Sequence, residues 1–229
     1  MALHHNPRIV TSGLVLHLDP ADKNSYPGTG ISCKNLSGDS NNGSLSGGVT
    51  YSNLNNGIFI LDGIDDYVAV PDSNSLDITD NITISFWFNV YAYTLALYSV
   101  NFFKKFVNTN TANFIFYFDG TFTPKKLLVY ANRGGVWSSV SPTTGDIPIN
   151  TWTHITWTYN SVTGGFLYVY GNRLSTVGVG SGVLATNSTE VAIGDKLNGA
   201  MASSQIYNRV LTAEEVLQNY NALKGRFGL

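Results

Sequence analysis

Apolar and polar positions alternate with a period of two along most of the chain, from about residue 13 to residue 207, and helical periodicity enters only near the C-terminal end. The segment 81–90 shows the alternation most clearly. Ile82, Ile84, Phe86, Phe88 and Val90 fall on one face of an extended strand and Thr83, Ser85, Trp87 and Asn89 on the other, so the first set is assigned to the core. Comparable patterns predict strands at 13–19, 57–62, 66–71, 94–103, 112–119, 126–132, 136–141, 152–159, 165–170, 188–194 and 199–207. Short strands in this number predict an all-β chain folded as two packed sheets. Gly164-Gly165 and Gly171-Asn172 stand where hairpin turns need positive φ.

The pattern changes at Thr212-Ala-Glu-Glu215, which has the form of a capping box and predicts a helix over 212–223. Val216, Tyr220 and Leu223 lie on one stripe of that helix, and Gly225 is placed to stop it, so the helix is expected to lie on the sandwich as a lid. No linker divides the chain, which reads as an N-terminal arm, 1–12, followed by a single domain, 13–229.

Composition narrows the function classes. Of 229 residues only 12% are charged and 43% are hydrophobic, which excludes disorder driven by charge. Thirteen Lys and Arg against fifteen Asp and Glu leave a formal charge of −2, so no field gathers nucleic acid. Cys33 is the single cysteine and excludes an internal disulfide, a thiolate zinc cluster and a CxxC redox pair. Met1 to Ser12 has neither the basic nor the apolar region of a secretory signal, and no stretch is long and apolar enough to insert into a membrane.

Seven segments in order resemble the laminin-G-like jelly rolls of the concanavalin A-like lectin/glucanase superfamily. They run from Gly13-Leu-Val-Leu-His-Leu-Asp-Pro20, through Leu36–Leu45, Leu61–Val70, Ile82–Val90, Trp152–Asn160 and Leu167–Asn172, to Ile193–Val216. The resemblance implies an antiparallel jelly-roll sandwich with a short C-terminal helix. The opening segment His5–Asp19 and the closing segment Tyr207–Phe227 are similar to those of laminin-G-like proteins of tailed-bacteriophage virions. That narrower likeness implies a decoration or fibre-associated subunit, made in the host cytoplasm, carried on the virion and contacting other virion proteins or copies of itself. Host-surface glycans are the ligands it implies. The alternative is a structural component that docks on capsid or tail proteins without binding glycans.

The residues bear on that choice as follows. Glycosidases need two carboxylates flanking one bond. This chain has only Glu190, Glu214 and Glu215 as glutamates, and they do not alternate along one strand, so it is read as non-enzymatic. His17 and His154 lie in apolar strands and read as hydrogen-bonded structural groups; Trp87, Trp152 and Trp157 read as packing residues. Calcium is the candidate cofactor, with oxygen ligands from Asp39 and Asn41 in one loop and Asp62 and Asp65 in another. The family often carries an acidic pair where this chain has Ala202-Ser203. The candidate glycan surface is Tyr117 and Asp119, Tyr130 and Asn132, and Trp137, from three successive strands, since rings stack on pyranose C–H faces and Asp and Asn bind hydroxyls. Finally, the apolar groups at the chain ends, Phe227 and Leu229 among them, are expected to be buried against a partner, and removal of 1–10 or 225–229 is expected to spare the core.

Overall fold

The structure, a computed structural model, describes residues 7–93, 100–106, 112–119, 126–140, 147–174 and 180–229. In chain order its first strands are β1 (Leu14–Leu18), β2 (Ser32–Cys33), β3 (Gly43–Ser46), β4 (Thr50–Ser52), β5 (Ile58–Asp62), β6 (Tyr67–Val70), β7 (Asn81–Val90) and β8 (Val100–Lys105). They are followed by β9 (Phe114–Asp119), β10 (Lys126–Arg133), β11 (Val136–Val140), β12 (Trp152–Asn160), β13 (Gly164–Val169), β14 (Asn172–Arg173), β15 (Val191–Ile193) and β16 (Asn198–Tyr207). A helix, α1 (Ala213–Leu223), closes the chain with a 3-10 turn, Lys224–Phe227.

The strands form two antiparallel sheets. Sheet A runs β14-β13-β12-β7-β16-β5-β4, with β1 also paired to β16; sheet B runs β11-β10-β9-β8-β15-β6-β3-β2. Between them lies the core, in which Phe86, Phe88, Phe102, Phe103, Phe116 and Trp157 are fully buried. Phe86 sits 5.0 Å from Phe116 at 88°, the edge-to-face geometry that ring quadrupoles favour. The alternation in 81–90 therefore assigned its core face correctly. Each predicted strand that falls on described residues is present to within a few residues; the 94–99 part of one expectation lies outside them. Strands β2, β3, β4 and β14 are two to four residues long, too short for a period of two to register.

Sheet A is buried on both faces. Every residue of β7 and β16 after the first is buried, because the arm, α1 and the terminal turn cover the side away from sheet B. The capping box forms as expected: the Glu215 N–H donates to Thr212 Oγ1 at 3.3 Å, and the Thr212 N–H donates to the Glu215 carboxylate at 2.9 Å. The α-helix ends at Leu223 as expected, but not through a left-handed Gly225: the chain continues as the 3-10 turn Lys224–Phe227, and Gly228 takes the left-handed conformation at φ 75°.

The chain ends differ from expectation at Phe227 and Val10, while Leu229 stays exposed and residues 1–6 lie outside the described residues. Phe227 stacks on Trp87 at 4.3 Å and on Trp152 at 4.5 Å, inside the molecule. Arg226 binds the Asp19 carboxylate at 2.8 and 3.0 Å and donates to the Asn55 and Gly57 carbonyls, an ion pair with both side chains less than 10% exposed. At the other end, the Val10 N–H donates to Asn219 Oδ1 at 2.8 Å and its carbonyl accepts from the Tyr207 hydroxyl at 2.9 Å. These groups are taken up by the chain's own sheet, so removing them would uncover that sheet. Among the described residues no helix is long and apolar enough to cross a membrane.

Candidate functional site

The face of sheet B turned away from the core carries the partly exposed Tyr67, Lys104, Tyr117 and Tyr130, and strand register decides what stands on it. Residues opposite one another across an antiparallel pair share a face. Tyr117 is opposite Leu128, Tyr130 is opposite both Ile115 and Ser139, Asn132 is opposite Trp137, and Asp119 is opposite Lys126. All five sequence-derived glycan positions therefore fall on one face of three adjacent strands. The side chains of Asp119 and Trp137 lie outside the described residues, so only their register positions are given. The rings of Tyr117 and Tyr130 are half-buried, 5.3 Å apart and tilted by 37°, a continuous aromatic surface. Asn132 is instead fully buried, and its Oδ1 accepts the Gly135 N–H at 2.9 Å, which fixes the β10–β11 turn. Asn132 thus shapes the face from beneath.

The same face continues across β8, β15 and β6. Lys104 is opposite Ile115 on one side and Ala192 on the other, and Ala192 is opposite Ala69. Over Ala192 lies a groove of about 270 Å³, bordered by Tyr67, Lys104, Phe106, Thr189, Glu190 and Asp195. Lys104 forms an ion pair with Asp195. Ser46 and Glu190 act on the Tyr67 hydroxyl, whose pKa is raised. Sequence reading missed this group, because it depends on pairing β6 with β15 and β15 with β8 across long chain separations. The one local signal was the alternation of Glu190 with Ala192 and of Tyr67 with Ala69.

Beneath the groove, Lys105 is fully buried. Its ammonium binds Asp72, Asp77 at 3.2 Å, and the carbonyls of Asn187 and Thr189, the last at 3.1 Å. A buried charge is tolerated only when paired and hydrogen-bonded. Here the pairing also ties segment 187–189, one wall of the groove, to the end of β8.

The proposed calcium ligands separate into two places. Asn41 is buried: its Nδ2 donates to the Val15 carbonyl at 3.0 Å and to Ser75 Oγ at 2.8 Å, while its Oδ1 accepts from Ser73 at 2.7 Å. Asp39 is exposed in the same loop. That loop enters β3 at the Val70 end of β6, whereas Asp65 precedes the Tyr67 end, a strand of four residues or roughly 13 Å away. Asp62 and Asp65 do come together, and Asp66 joins them, with carboxylate oxygens all within 4.8 Å. Those three are the carboxylates that could hold a cation. Asp62 Oδ1 already accepts the Ile64 N–H at 2.7 Å, and Asp66 Oδ2 accepts the Asp62 N–H at 3.0 Å, so both also serve the turn. Burial raises the Asp66 carboxyl above its usual range, with the charges of Asp62 and Asp65 acting in the same direction. Gly47, at φ 82°, packs on this turn; a methyl group there would come 2.3 Å from the Asp65 carbonyl oxygen.

At Ala202-Ser203, where β16 bulges against β7, no carboxylate stands: Ala202 packs in the cluster around Phe227, and Ser203 Oγ lies 3.1 Å from His17 Nε2. Among the described residues, Cys33 and His154 are internal. The Cys33 thiol is buried and pushed up to about 11, chiefly by desolvation. His154 Nε2 lies 3.0 Å from Ser85 Oγ, but burial lowers its pKa to about 3 and the pair is sealed under α1. His154 and Trp87 are structural, as the sequence implied.

Two antiparallel sheets packed face to face, one of them capped by α1 and the terminal turn, define a jelly-roll sandwich. Residues 62–217 match a laminin-G model of the Concanavalin A-like lectin/glucanases superfamily, and the chain belongs to that superfamily. No curated protein sequence matches the chain. Among solved structures, it is similar to the binding domain of Paraclostridial Mosquitocidal Protein 1, with a TM-score of 0.69 and 19% identity over 92% of this chain and 52% of that one. It is also similar to the binding domain of Botulinum neurotoxin DC in complex with SialylT, with a TM-score of 0.72 and 16% identity over 93% and 52%. Domain 4 of AbnA, a GH43 extracellular arabinanase from Geobacillus stearothermophilus, in complex with arabinotriose, matches with a TM-score of 0.67 and 17% identity over 91% and 98%. The chain thus spans about half the length of the toxin domains and nearly all of the arabinanase domain.

Proposed function

We propose that the chain is a non-catalytic glycan-binding module whose ligand lies on the outer face of sheet B, across Tyr117 and Tyr130. The observation that carries this reading is the register that gathers the five positions on one face, with the two tyrosine rings 5.3 Å apart. A full-length match to a domain solved with arabinotriose supports it. The sealed Ser85–His154 pair and the buried Cys33 thiol support binding without bond cleavage.

The setting we propose is a tailed-phage virion, as a decoration or fibre-associated subunit, supported by the likeness of the opening and closing segments to virion proteins. Glycan-array binding followed by calorimetric titration tests the function, and mass spectrometry of purified virions tests the setting. Tyr117→Ala and Tyr130→Ala are each expected to weaken binding by about tenfold, the worth of one aromatic contact, with unchanged folding. Silence on the array together with stoichiometric recovery in virions would replace this reading by structural docking.

A further inference from the structure

We propose that the groove between β8, β15 and β6 is a monosaccharide subsite of that glycan face, selective for a neutral pyranose over a carboxylated one. The proposal rests on the glycan reading above and adds a location and a charge rule to it. The groove lies where Ala192, paired across the sheet with the equally small Ala69, stands among the larger side chains of Tyr67, Lys104 and Phe106. Its volume of about 270 Å³ is just below the roughly 300–1,000 Å³ typical of drug-sized ligand sites, which suits one sugar ring.

Its polar groups are those a polyol needs. Lys104 donates; Asp195 and Glu190 accept; the Tyr67 hydroxyl does both. Lys104 and Asp195, 21% and 13% exposed, already hold one another, so the donor and acceptor that would bridge adjacent hydroxyls are fixed before a ligand arrives. The Thr189 wall is fixed as well. Its carbonyl is bound by the buried Lys105 ammonium and its N–H donates to Asn187 Oδ1 at 3.0 Å. A preorganised site loses less entropy on binding.

The charge balance sets the selectivity. Lys104 is the one cation among the described lining residues and is neutralised by Asp195, leaving the exposed Glu190 as net charge. Below it, Lys105 faces both Asp72 and Asp77, a second excess of one negative charge. A uronate or sialate carboxylate would meet like charge without a free cation, so the groove discriminates by repulsion.

The test uses the whole chain, labelled with nitrogen-15, and methyl pyranosides of glucose, galactose and mannose alongside the matching methyl uronides. At least one neutral pyranoside is expected to shift the Thr189, Glu190 and Ala192 amides, with its uronide binding about tenfold more weakly. Glu190→Gln, an exposed and isosteric change that removes the net charge, is expected to bring the uronide to within about threefold of the neutral sugar. The double variant Lys104→Met with Asp195→Asn is expected to abolish the groove shifts. If shifts are confined to the Tyr117 and Tyr130 amides, the subsite is wrong and the glycan reading stands. Equal binding of uronide and neutral sugar overturns the charge rule. No shift with any sugar, and silence on the array, overturns both.

Discussion

His154 lies between Trp87, with ring centroids 4.8 Å apart, and Tyr220, at 5.6 Å, and its Nδ1 has no partner among the described residues. Nothing there stabilises an imidazolium, which is why burial holds its pKa near 3 against an ordinary value of about 6.5. The folded chain keeps this histidine neutral while the unfolded chain protonates it, so its contribution to stability is complete above about pH 6.5 and is lost as pH falls towards 3. His17, whose pKa burial also lowers, acts in the same sense. Between pH 6.5 and 5, before carboxylates titrate, His154 alone is expected to cost up to about 2 kcal/mol. Urea unfolding at half-unit pH steps checks this. His154→Gln, though less stable overall, should show a slope shallower by about one proton, and an unchanged slope would place the titration elsewhere.

At the scale of elements, the C-terminal turn is part of the fold. Phe227→Ala is expected to cost roughly 3 kcal/mol through lost stacking on Trp87 and Trp152, and deleting 225–229 should cost more because Asp19 then loses its buried partner. Calorimetry with near-ultraviolet circular dichroism measures both; a melting point within a degree of the parent would return these residues to the role of a free arm. The error in reading them from sequence is instructive. Periodicity reveals faces, so the strand at 81–90, the capping box and the order of elements were all legible. It does not reveal that Arg226 lies beside Asp19, or that Asn219, polar on an apolar stripe, is the buried anchor of Val10 and Tyr207. The candidate site divides in the same way. The aromatic face lies on strands adjacent both in sequence and in space, β9 to β11, and local alternation sufficed to find it. The groove needs β6, β15 and β8 side by side, and the cation ligands needed the two ends of β6 to be told apart.

Considered as a whole, the molecule has two outer faces with different fates, and its four tryptophans report on them separately. Trp157 is in the core between the sheets, and Trp87 and Trp152 lie on sheet A under the terminal turn. Trp137 is the one whose register places it on sheet B, opposite Asn132 and in line with Tyr130 and Ser139 two residues on. A ligand confined to the outer face of sheet B can therefore change the environment of only one tryptophan. Glycan binding is expected to alter intrinsic fluorescence in the parent chain, and that change should vanish in Trp137→Phe even where calorimetry still detects binding. Phe227→Ala makes the reciprocal case: it should shift the resting emission by unstacking Trp87 and Trp152, yet leave the ligand-induced change intact, since core and sheet A separate the two clusters. Fluorescence titrations of the three proteins with one array-positive glycan decide the matter. A response that survives Trp137→Phe and disappears in Phe227→Ala would move the ligand to the capped face and would require the helix and turn to open for it.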